Sequence, residues 1–217
     1  MKNFLIILSF LLTSISFAAV ASTNGATVMV FGDSLSTSYG IPSEGGWVNL
    51  LKQRLEVHSP VHKIVNASIG GETTLGGRNR IEHALKIHHP DIVIIGLGGN
   101  DGLRGSPISF IYGNLESMIN ACLEKNITVI LLGMQLPPNY GIAYTQKFLN
   151  IYPQLAEYYQ LQLVPFLLAG FGEKTEYFQS DGIHPNLQAQ EIIVENVWDV
   201  LHGMLVSGNI PVRPDSE

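Results

Sequence analysis

The chain alternates short, uninterrupted apolar runs with stretches in which apolar residues recur at helical spacing. Runs rich in Val, Ile and Leu predict strands that are buried on both faces. They cover residues 27–31, 61–65, 92–97, 127–132 and 163–166. The run at residues 92–97, Ile-Val-Ile-Ile-Gly-Leu, shows the pattern most clearly. We therefore expect a sheet of five strands.

Helical spacing between these runs predicts a helix after almost every strand. The predicted helices cover residues 47–55, 81–89, 107–123, 144–159 and 187–201. Pro90 disfavours helical geometry at the residue before it, so the second helix should end near His89. Strands that alternate with helices predict a three-layer α/β/α fold with a parallel, flavodoxin-like, five-stranded sheet and right-handed crossovers.

Composition and charge exclude several classes of protein. The 217 residues are 46% hydrophobic and 14% charged, which is typical of a folded globular chain rather than a disordered one. The net charge is −6 and no Lys/Arg cluster reverses it locally, so nucleic acid is not an expected partner. The single Cys122 excludes an intramolecular disulfide and any multi-cysteine metal site. Its neighbours Met118 and Ile119 predict a buried, inert thiol.

The first 21 residues have the pattern of a secretory signal peptide. Lys2 precedes an apolar run at residues 4–17, and Ala19-Val20-Ala21 follows. A retained membrane anchor is the alternative, but a spanning helix needs about 18 or more uninterrupted apolar residues and this run is broken by polar ones. We therefore expect cleavage after Ala21, a folded domain at residues 22–207, a loose tail at 208–217 and no stable membrane insertion. The protein should lie in the periplasm or outside the cell.

Polar tracts follow the predicted strands at residues 32–34, 66–74, 98–102 and 137–141. In parallel sheets, functional groups gather beyond the carboxyl ends of the strands. Ser34 is a nucleophile if a base reaches it, or else a helix N-cap. Asp181 precedes His184 by three residues, which lets a carboxylate orient an imidazole base, although Pro185 also fits a capped helix start with an incidental histidine.

Asn100 and the pair Gly70-Gly71 offer an amide group and unobstructed backbone N–H groups at strand ends. Donors of these two kinds form oxyanion holes, but glycine turns are common in any α/β protein. Asp33 and Asp101 each lie at a strand end, where an aspartate usually accepts hydrogen bonds from nearby backbone N–H groups. We interpret both aspartates as structural.

Four of these tracts together resemble the blocks of the SGNH, or GDSL, hydrolase family. They are Phe-Gly-Asp-Ser-Leu-Ser at 31–36, Asn-Ala-Ser-Ile-Gly-Gly-Glu-Thr at 66–73, Gly-Gly-Asn-Asp-Gly-Leu-Arg-Gly at 98–105 and Asp-Gly-Ile-His-Pro-Asn at 181–186. The match spans nearly the whole chain after the leader. It implies Ser34 as nucleophile, His184 as general base and then acid, and Asp181 as the orienting carboxylate. The oxyanion donors would be the N–H groups of Ser34 and Gly70 and the amide of Asn100.

The resemblance further implies a monomeric serine hydrolase that cleaves small-molecule acyl esters and thioesters, including aryl esters and lysophospholipids. It implies neither a metal nor a cofactor. Leu75 and Tyr140 are candidate substrate contacts, whereas Trp47 is assigned to the core. Two alternatives stay open: a carbohydrate O-acetylesterase of the same fold, and a binding module that has the fold without the activity.

Overall fold

The computed structural model of the protein describes residues 25–207. The predicted signal peptide and the predicted loose tail lie outside these residues, and both stay predictions. Five parallel strands form one sheet in the order β2-β1-β3-β4-β5, which is the flavodoxin-like order. The strands are β1 (Thr27–Gly32), β2 (Lys63–Asn66), β3 (Ile92–Gly96), β4 (Thr128–Leu132) and β5 (Gln162–Val164). The predicted fold class is confirmed.

Helices flank the sheet. They are α1 (Trp47–His58), α2 (Thr74–His88), α3 (Gly99–Leu103), α4 (Ile108–Leu123), α5 (Ile142–Leu149), α6 (Ile151–Tyr159) and α7 (Leu187–Ser207). α1 packs against α7, and α2 packs against α4. Every residue of β3 is buried, and successive side chains of a strand point to opposite faces, so helices must cover both faces of the sheet.

Several predicted boundaries were wrong. The helix predicted from residue 81 begins at Thr74, because the Thr73 hydroxyl caps it by accepting the N–H of Gly76. Three further differences also have local reasons. The helix predicted at 144–159 is two helices that separate after Leu149, because Pro153 lacks an N–H and its ring crowds the carbonyl four residues earlier. The strand predicted from Val61 begins at Lys63, since Val61 lies exposed in a turn. The last strand ends at Val164 because Pro165 cannot donate to a sheet.

The register of the sheet places the first three strand ends side by side. Gly32 of β1 lies opposite Gly96 of β3, and Val30 of β1 lies opposite Asn66 of β2. The strand order reverses at β1, and a parallel sheet opens a crevice at such a point. The loops after β1, β2 and β3 therefore leave the sheet at one place.

Candidate active site

Ser34 lies two residues beyond the end of β1. Its hydroxyl oxygen is 2.9 Å from Nε2 of His184, although 150 residues separate the two in sequence. The segment that follows Ser34 forms turns and no helix, so the alternative assignment as a helix N-cap is wrong. The side chain is thus available to an imidazole that comes from the far end of the chain.

His184 is held by Asp181 on the loop before α7. Nδ1 of the imidazole lies 2.6 Å from Oδ2 of the carboxylate, while Oδ1 accepts the N–H groups of Ile183 at 2.9 Å and His184 at 3.0 Å. The His184 N–H is the main reason that the pKa of Asp181 falls to about 2. Asn186 directly precedes α7 and its Oδ1 accepts the N–H of Gln188, so Asp181 is not needed as the helix cap.

This arrangement can move a proton away from a hydroxyl group. An ionised Asp181 accepts the hydrogen on Nδ1, which leaves Nε2 as the unprotonated nitrogen that faces Ser34. Because the pKa of Asp181 is about 2, the carboxylate is ionised throughout the neutral range. The structure therefore brings the three predicted residues into one hydrogen-bonded line.

Asn100 lies in the first turn of α3, directly after β3. Its Nδ2 donates to Oδ2 of Asp33 at 3.1 Å and to the carbonyl of Glu72 at 3.0 Å, so two acceptors fix its orientation. Asp33 is buried, and Oδ1 accepts the N–H of Leu35 at 3.0 Å, as expected for a structural aspartate. Burial raises the pKa of Asp33 to about 6.

Gly70 lies in the turn after β2. The N–H of Glu72 donates to the carbonyl of Ile69 at 3.2 Å, which closes a four-residue turn. Gly71 has φ +74°, the left-handed value that the third residue of a type II turn requires. A Cβ at Gly70 would meet only the hydroxyl of Thr37, at 3.9 Å, so the space beside this glycine is open.

The remaining candidates differ in their surroundings. Trp47 is buried and its indole N–H donates to the carbonyl of Leu35, which confirms its assignment to the core. The Tyr140 hydroxyl donates to the carbonyl of Leu103 and ties the loop at 137–141 to α3. Leu75 is 40% exposed in the first turn of α2. Contact of Leu75 or Tyr140 with a substrate stays a prediction.

Two further residues behave as expected of structural groups. Asp101 accepts hydrogen bonds from the backbone N–H and the hydroxyl of Thr74, at 2.8 and 2.7 Å. Cys122 is fully buried, and burial raises the pKa of its thiol to about 12, which confirms the prediction of an inert cysteine. Within residues 25–207, no group of three or more His, Cys, Asp or Glu side chains is arranged to hold a metal ion.

Tyr39, Gln179 and Glu72 make contacts around these groups that the sequence pattern does not predict. The Tyr39 ring packs against the His184 imidazole, with centroids 4.4 Å apart. Nε2 of Gln179 donates to the carbonyls of Tyr39 and Pro185, so it joins the segment after Ser34 to the His184 loop. The carboxylate of Glu72 pairs with Nε of Arg80. These contacts form between loops, and no periodic pattern marks them.

No helix among the described residues 25–207 is both long enough and apolar enough to cross a membrane.

Comparisons with known proteins agree with the four motifs. The GDSL-like Lipase/Acylhydrolase family matches residues 30–192. The chain is 44% identical to Esterase TesA of Pseudomonas aeruginosa over 179 residues, 82% of this chain and 89% of that protein. It is 37% identical to Thioesterase 1/protease 1/lysophospholipase L1 of Escherichia coli K12 over 184 residues, 85% and 86% of the two chains.

A solved structure shows the same architecture. The psychrotrophic esterase EstA from Pseudoalteromonas sp., in a structure inhibited by monoethylphosphonate, is 34% identical and superposes with a TM-score of 0.79. The match covers 83% of this chain and 99% of that one. With 44% identity to an esterase and a family match from strand β1 into helix α7, the chain belongs to the GDSL-like lipase/acylhydrolase family of SGNH hydrolases.

Proposed function

We propose that the protein is a serine hydrolase that cleaves carboxylic esters and thioesters of acyl chains through a covalent acyl-enzyme. The observation that carries this proposal is the unbroken line of hydrogen bonds from the Ser34 hydroxyl through His184 to Asp181. A serine hydroxyl is a weak nucleophile by itself, and a base held in this geometry activates it.

The reaction begins when His184 takes the proton of the Ser34 hydroxyl at Nε2 while the serine oxygen attacks the acyl carbonyl carbon. The imidazolium then donates that proton to the leaving alcohol or thiol as the tetrahedral intermediate collapses to an acyl-serine ester. Water enters, loses a proton to Nε2 and attacks the same carbon, and Ser34 recovers its proton as the acid leaves. Asp181 holds the imidazole in the required tautomer throughout.

The oxyanion of each tetrahedral intermediate would be bound by the N–H groups of Ser34 and Gly70 and by the Asn100 amide. Both Asn100 amide hydrogens already have acceptors, Asp33 and Glu72. We infer that one of these hydrogen bonds becomes shared with the oxyanion as charge develops. Asn100 is thereby preorganised, because little rotation is needed at the moment of reaction.

Apolar side chains on the site's own segments favour an acyl chain as the bound group. They are exposed by 40–56% and flank or contact the proposed catalytic groups. They are Tyr39, Ile69, Leu75, Ile183 and Leu187. Exposed apolar residues on the segments that carry a polar site are typical of a binding surface for an apolar ligand. The relatives named esterase and thioesterase/lysophospholipase support the same substrate class, with Leu75 and Tyr140 as proposed contacts.

We further propose that the protein acts as a monomer after removal of residues 1–21, in the periplasm or outside the cell. The leader pattern described above supports export. The site supports monomeric activity, since all of its proposed groups come from one chain.

The substrate class is tested with residues 22–217 on p-nitrophenyl esters from acetyl to palmitoyl. Each buried methylene contributes about 0.8 kcal/mol, so kcat/KM should rise roughly fourfold per methylene until the site is filled. Ser34→Ala is the blank, and Ser117→Ala on α4 is a matched control that should retain full activity. Activity confined to the acetyl ester would favour a carbohydrate O-acetylesterase, and no activity on any ester would favour a binding module.

A further inference from the structure

We propose that the Glu72–Arg80 ion pair positions the Asn100 amide for catalysis, with Glu72 contacting Asn100 and Arg80 acting through Glu72. This inference rests on the proposed function, because the position of an oxyanion donor affects the rate only if the chain is a hydrolase. Glu72 and Arg80 are positioning residues and touch no reacting atom.

The backbone of Glu72 contacts both proposed donor segments. Its carbonyl accepts a hydrogen of Asn100 Nδ2 at 3.0 Å, and its N–H closes the turn that contains Gly70. A shift of Glu72 would therefore move one of the two acceptors that orient the Asn100 amide. Asp33 would then be the one remaining acceptor for the amide. The amide could rotate about that single hydrogen bond.

The side chain of Glu72 is also held in place. It is only 10% exposed and pairs with Nε of Arg80, which comes from the second turn of α2. Gly76 leaves room for the carboxylate, since a Cβ there would lie 2.2 Å from Oε1 of Glu72. The carboxylate thus occupies a fitted space between the start of α2 and the guanidinium group.

Arg80 is anchored in turn by the sheet. Its guanidinium lies over the ring of Phe31, 3.8 Å from the centroid, and Phe31 is the β1 residue two positions before Asp33. The ion pair therefore connects the end of β1, beyond which Asp33 and Ser34 lie, to the turn after β2. That turn contains Glu72, the second acceptor of the Asn100 amide.

Fold stability alone gives little reason for this pair. Two apolar side chains of similar volume often stabilise a protein as well as a largely buried ion pair does, because removing both charges from water is costly. A charged pair does fix one geometry, through directional contacts that an apolar pair lacks. That property matters where an amide must keep its position to within about 1 Å.

The test compares Arg80→Met, Arg80→Lys and Glu72→Gln with a matched control, Arg54→Met. Arg54 is exposed to nearly the same extent as Arg80, pairs with Glu195 and lies over the ring of Trp198, but it is on α1 and contacts none of the site residues. We expect Arg80→Met to lower kcat on a p-nitrophenyl ester roughly 10- to 100-fold with KM within about twofold. Arg80→Lys should recover part of the rate, and Arg54→Met should leave it unchanged.

A double-mutant cycle separates positioning from general damage. In an Asn100→Ala background, Arg80→Met should lower kcat by less than about threefold, because its target has been removed. An equal loss in both backgrounds would overturn the proposal, as would an unchanged kcat in Arg80→Met. Should Arg80→Met fail to fold, Glu72→Gln, which keeps the size of the side chain, enters the same cycle.

A second readout does not depend on activity. The side-chain NH₂ signals of Asn100 in a ¹⁵N–¹H spectrum, assigned by their loss in Asn100→Ala, should shift or broaden in Arg80→Met and Glu72→Gln but not in Arg54→Met. Unmoved signals would contradict the proposal even in a chain that hydrolyses nothing. If the unsubstituted protein hydrolyses no ester but these signals still shift in Arg80→Met and Glu72→Gln, the proposed function is refuted. The positioning contact would then still be supported.

Discussion

The donor half of the candidate site, Asn100 with its acceptors Asp33 and Glu72, is anchored on a buried carboxylate and joins distant parts of the chain. The acid–base half, Asp181 and His184, lies on one exposed loop. In the donor half, Asp33 is 3% exposed and binds Asn100 from 67 residues away. In the acid–base half, the Asp181 side chain is 38% exposed and lies three residues from His184. The hydrogen bond to Ser34 and the contacts of Tyr39 and Gln179 join that loop to the rest of the site.

This difference means that the two halves should respond differently to substitution. Groups in the donor half are part of the core's hydrogen bonding, so replacing them should change both the rate and the free energy of unfolding. Groups on the exposed loop can replace lost contacts with hydrogen bonds to water. Replacing these groups should therefore change the rate but hardly change the free energy of unfolding.

The largest of these effects is expected for Asp181→Asn. The asparagine carbonyl oxygen can still accept the N–H groups of Ile183 and His184, but its NH₂ group would face Nδ1. The imidazole would then carry its hydrogen on Nε2 and could not accept the Ser34 proton. We expect kcat to fall about 10⁴-fold, with less than about 1 kcal/mol change in the free energy of unfolding. Steady-state kinetics and chemical denaturation measure the two quantities, and a large loss of stability would show that Asp181 also stabilises the fold.

Asn100→Ala should lower kcat about 10²–10³-fold with a modest change in KM, because one oxyanion donor is removed. It should also lower the free energy of unfolding by about 1–3 kcal/mol, since the buried Asp33 carboxylate loses a partner. Asn49→Ala, which removes a half-buried amide on α1 that donates to the carbonyl of Ser43, is the control for both measurements. An unaltered kcat would remove Asn100 from the oxyanion hole.

Asp33→Asn should change how stability depends on pH. Because burial raises the pKa of Asp33 from 3.8 to about 6, the folded protein binds this proton more tightly than the unfolded chain does. The unsubstituted protein therefore loses stability as the pH rises through this window, by up to about 3 kcal/mol from this group. Relative to it, Asp33→Asn should gain stability between pH 4 and pH 7, as followed by urea denaturation. Glu124→Gln, on the surface, is the control variant, and a flat difference for Asp33→Asn would contradict the assigned pKa.

The smallest effect is expected for Tyr39→Leu. We expect the ring, which packs against His184, to stabilise the imidazolium of the proposed mechanism, and such contacts contribute about 0.5–1 kcal/mol at exposed sites. We predict a loss of about two- to fivefold in kcat, with no change in Tm. Tyr39→Phe keeps the ring and should retain the rate, so equal losses in both variants would point to the hydroxyl group instead.

The strands and the Asp181–His184 pair could be predicted from the sequence because each depends on residues that are close together in the chain. Uninterrupted apolar runs predicted five buried strands, and the parallel sheet then required polar loops to meet beyond β1, β2 and β3. Asp181 and His184 are three residues apart, so their contact could be inferred from spacing. The break after Leu149 could have been predicted as well, since Pro153 falls inside the helical pattern.

The contacts that escaped prediction depend on how separate loops pack. Arg80 reaches Glu72 only because the turn after β2 leads into α2 at a particular angle, and Gly76 leaves room for the carboxylate. Tyr39 meets His184 only after β1 and the loop before α7 have reached the same edge of the sheet. Neither pair has a spacing or composition that distinguishes it from solvent-exposed residues.

Covalent labelling tests the assignment of Ser34 as the nucleophile without relying on kinetics. A p-nitrophenyl phosphonate should release one equivalent of p-nitrophenol and add one phosphonyl group to each chain, with the loss of esterase activity proportional to labelling. Peptide mass mapping should place the group on Ser34, and Ser34→Ala should take up none. Labelling of a different residue, or stoichiometric labelling of Ser34→Ala, would contradict the account.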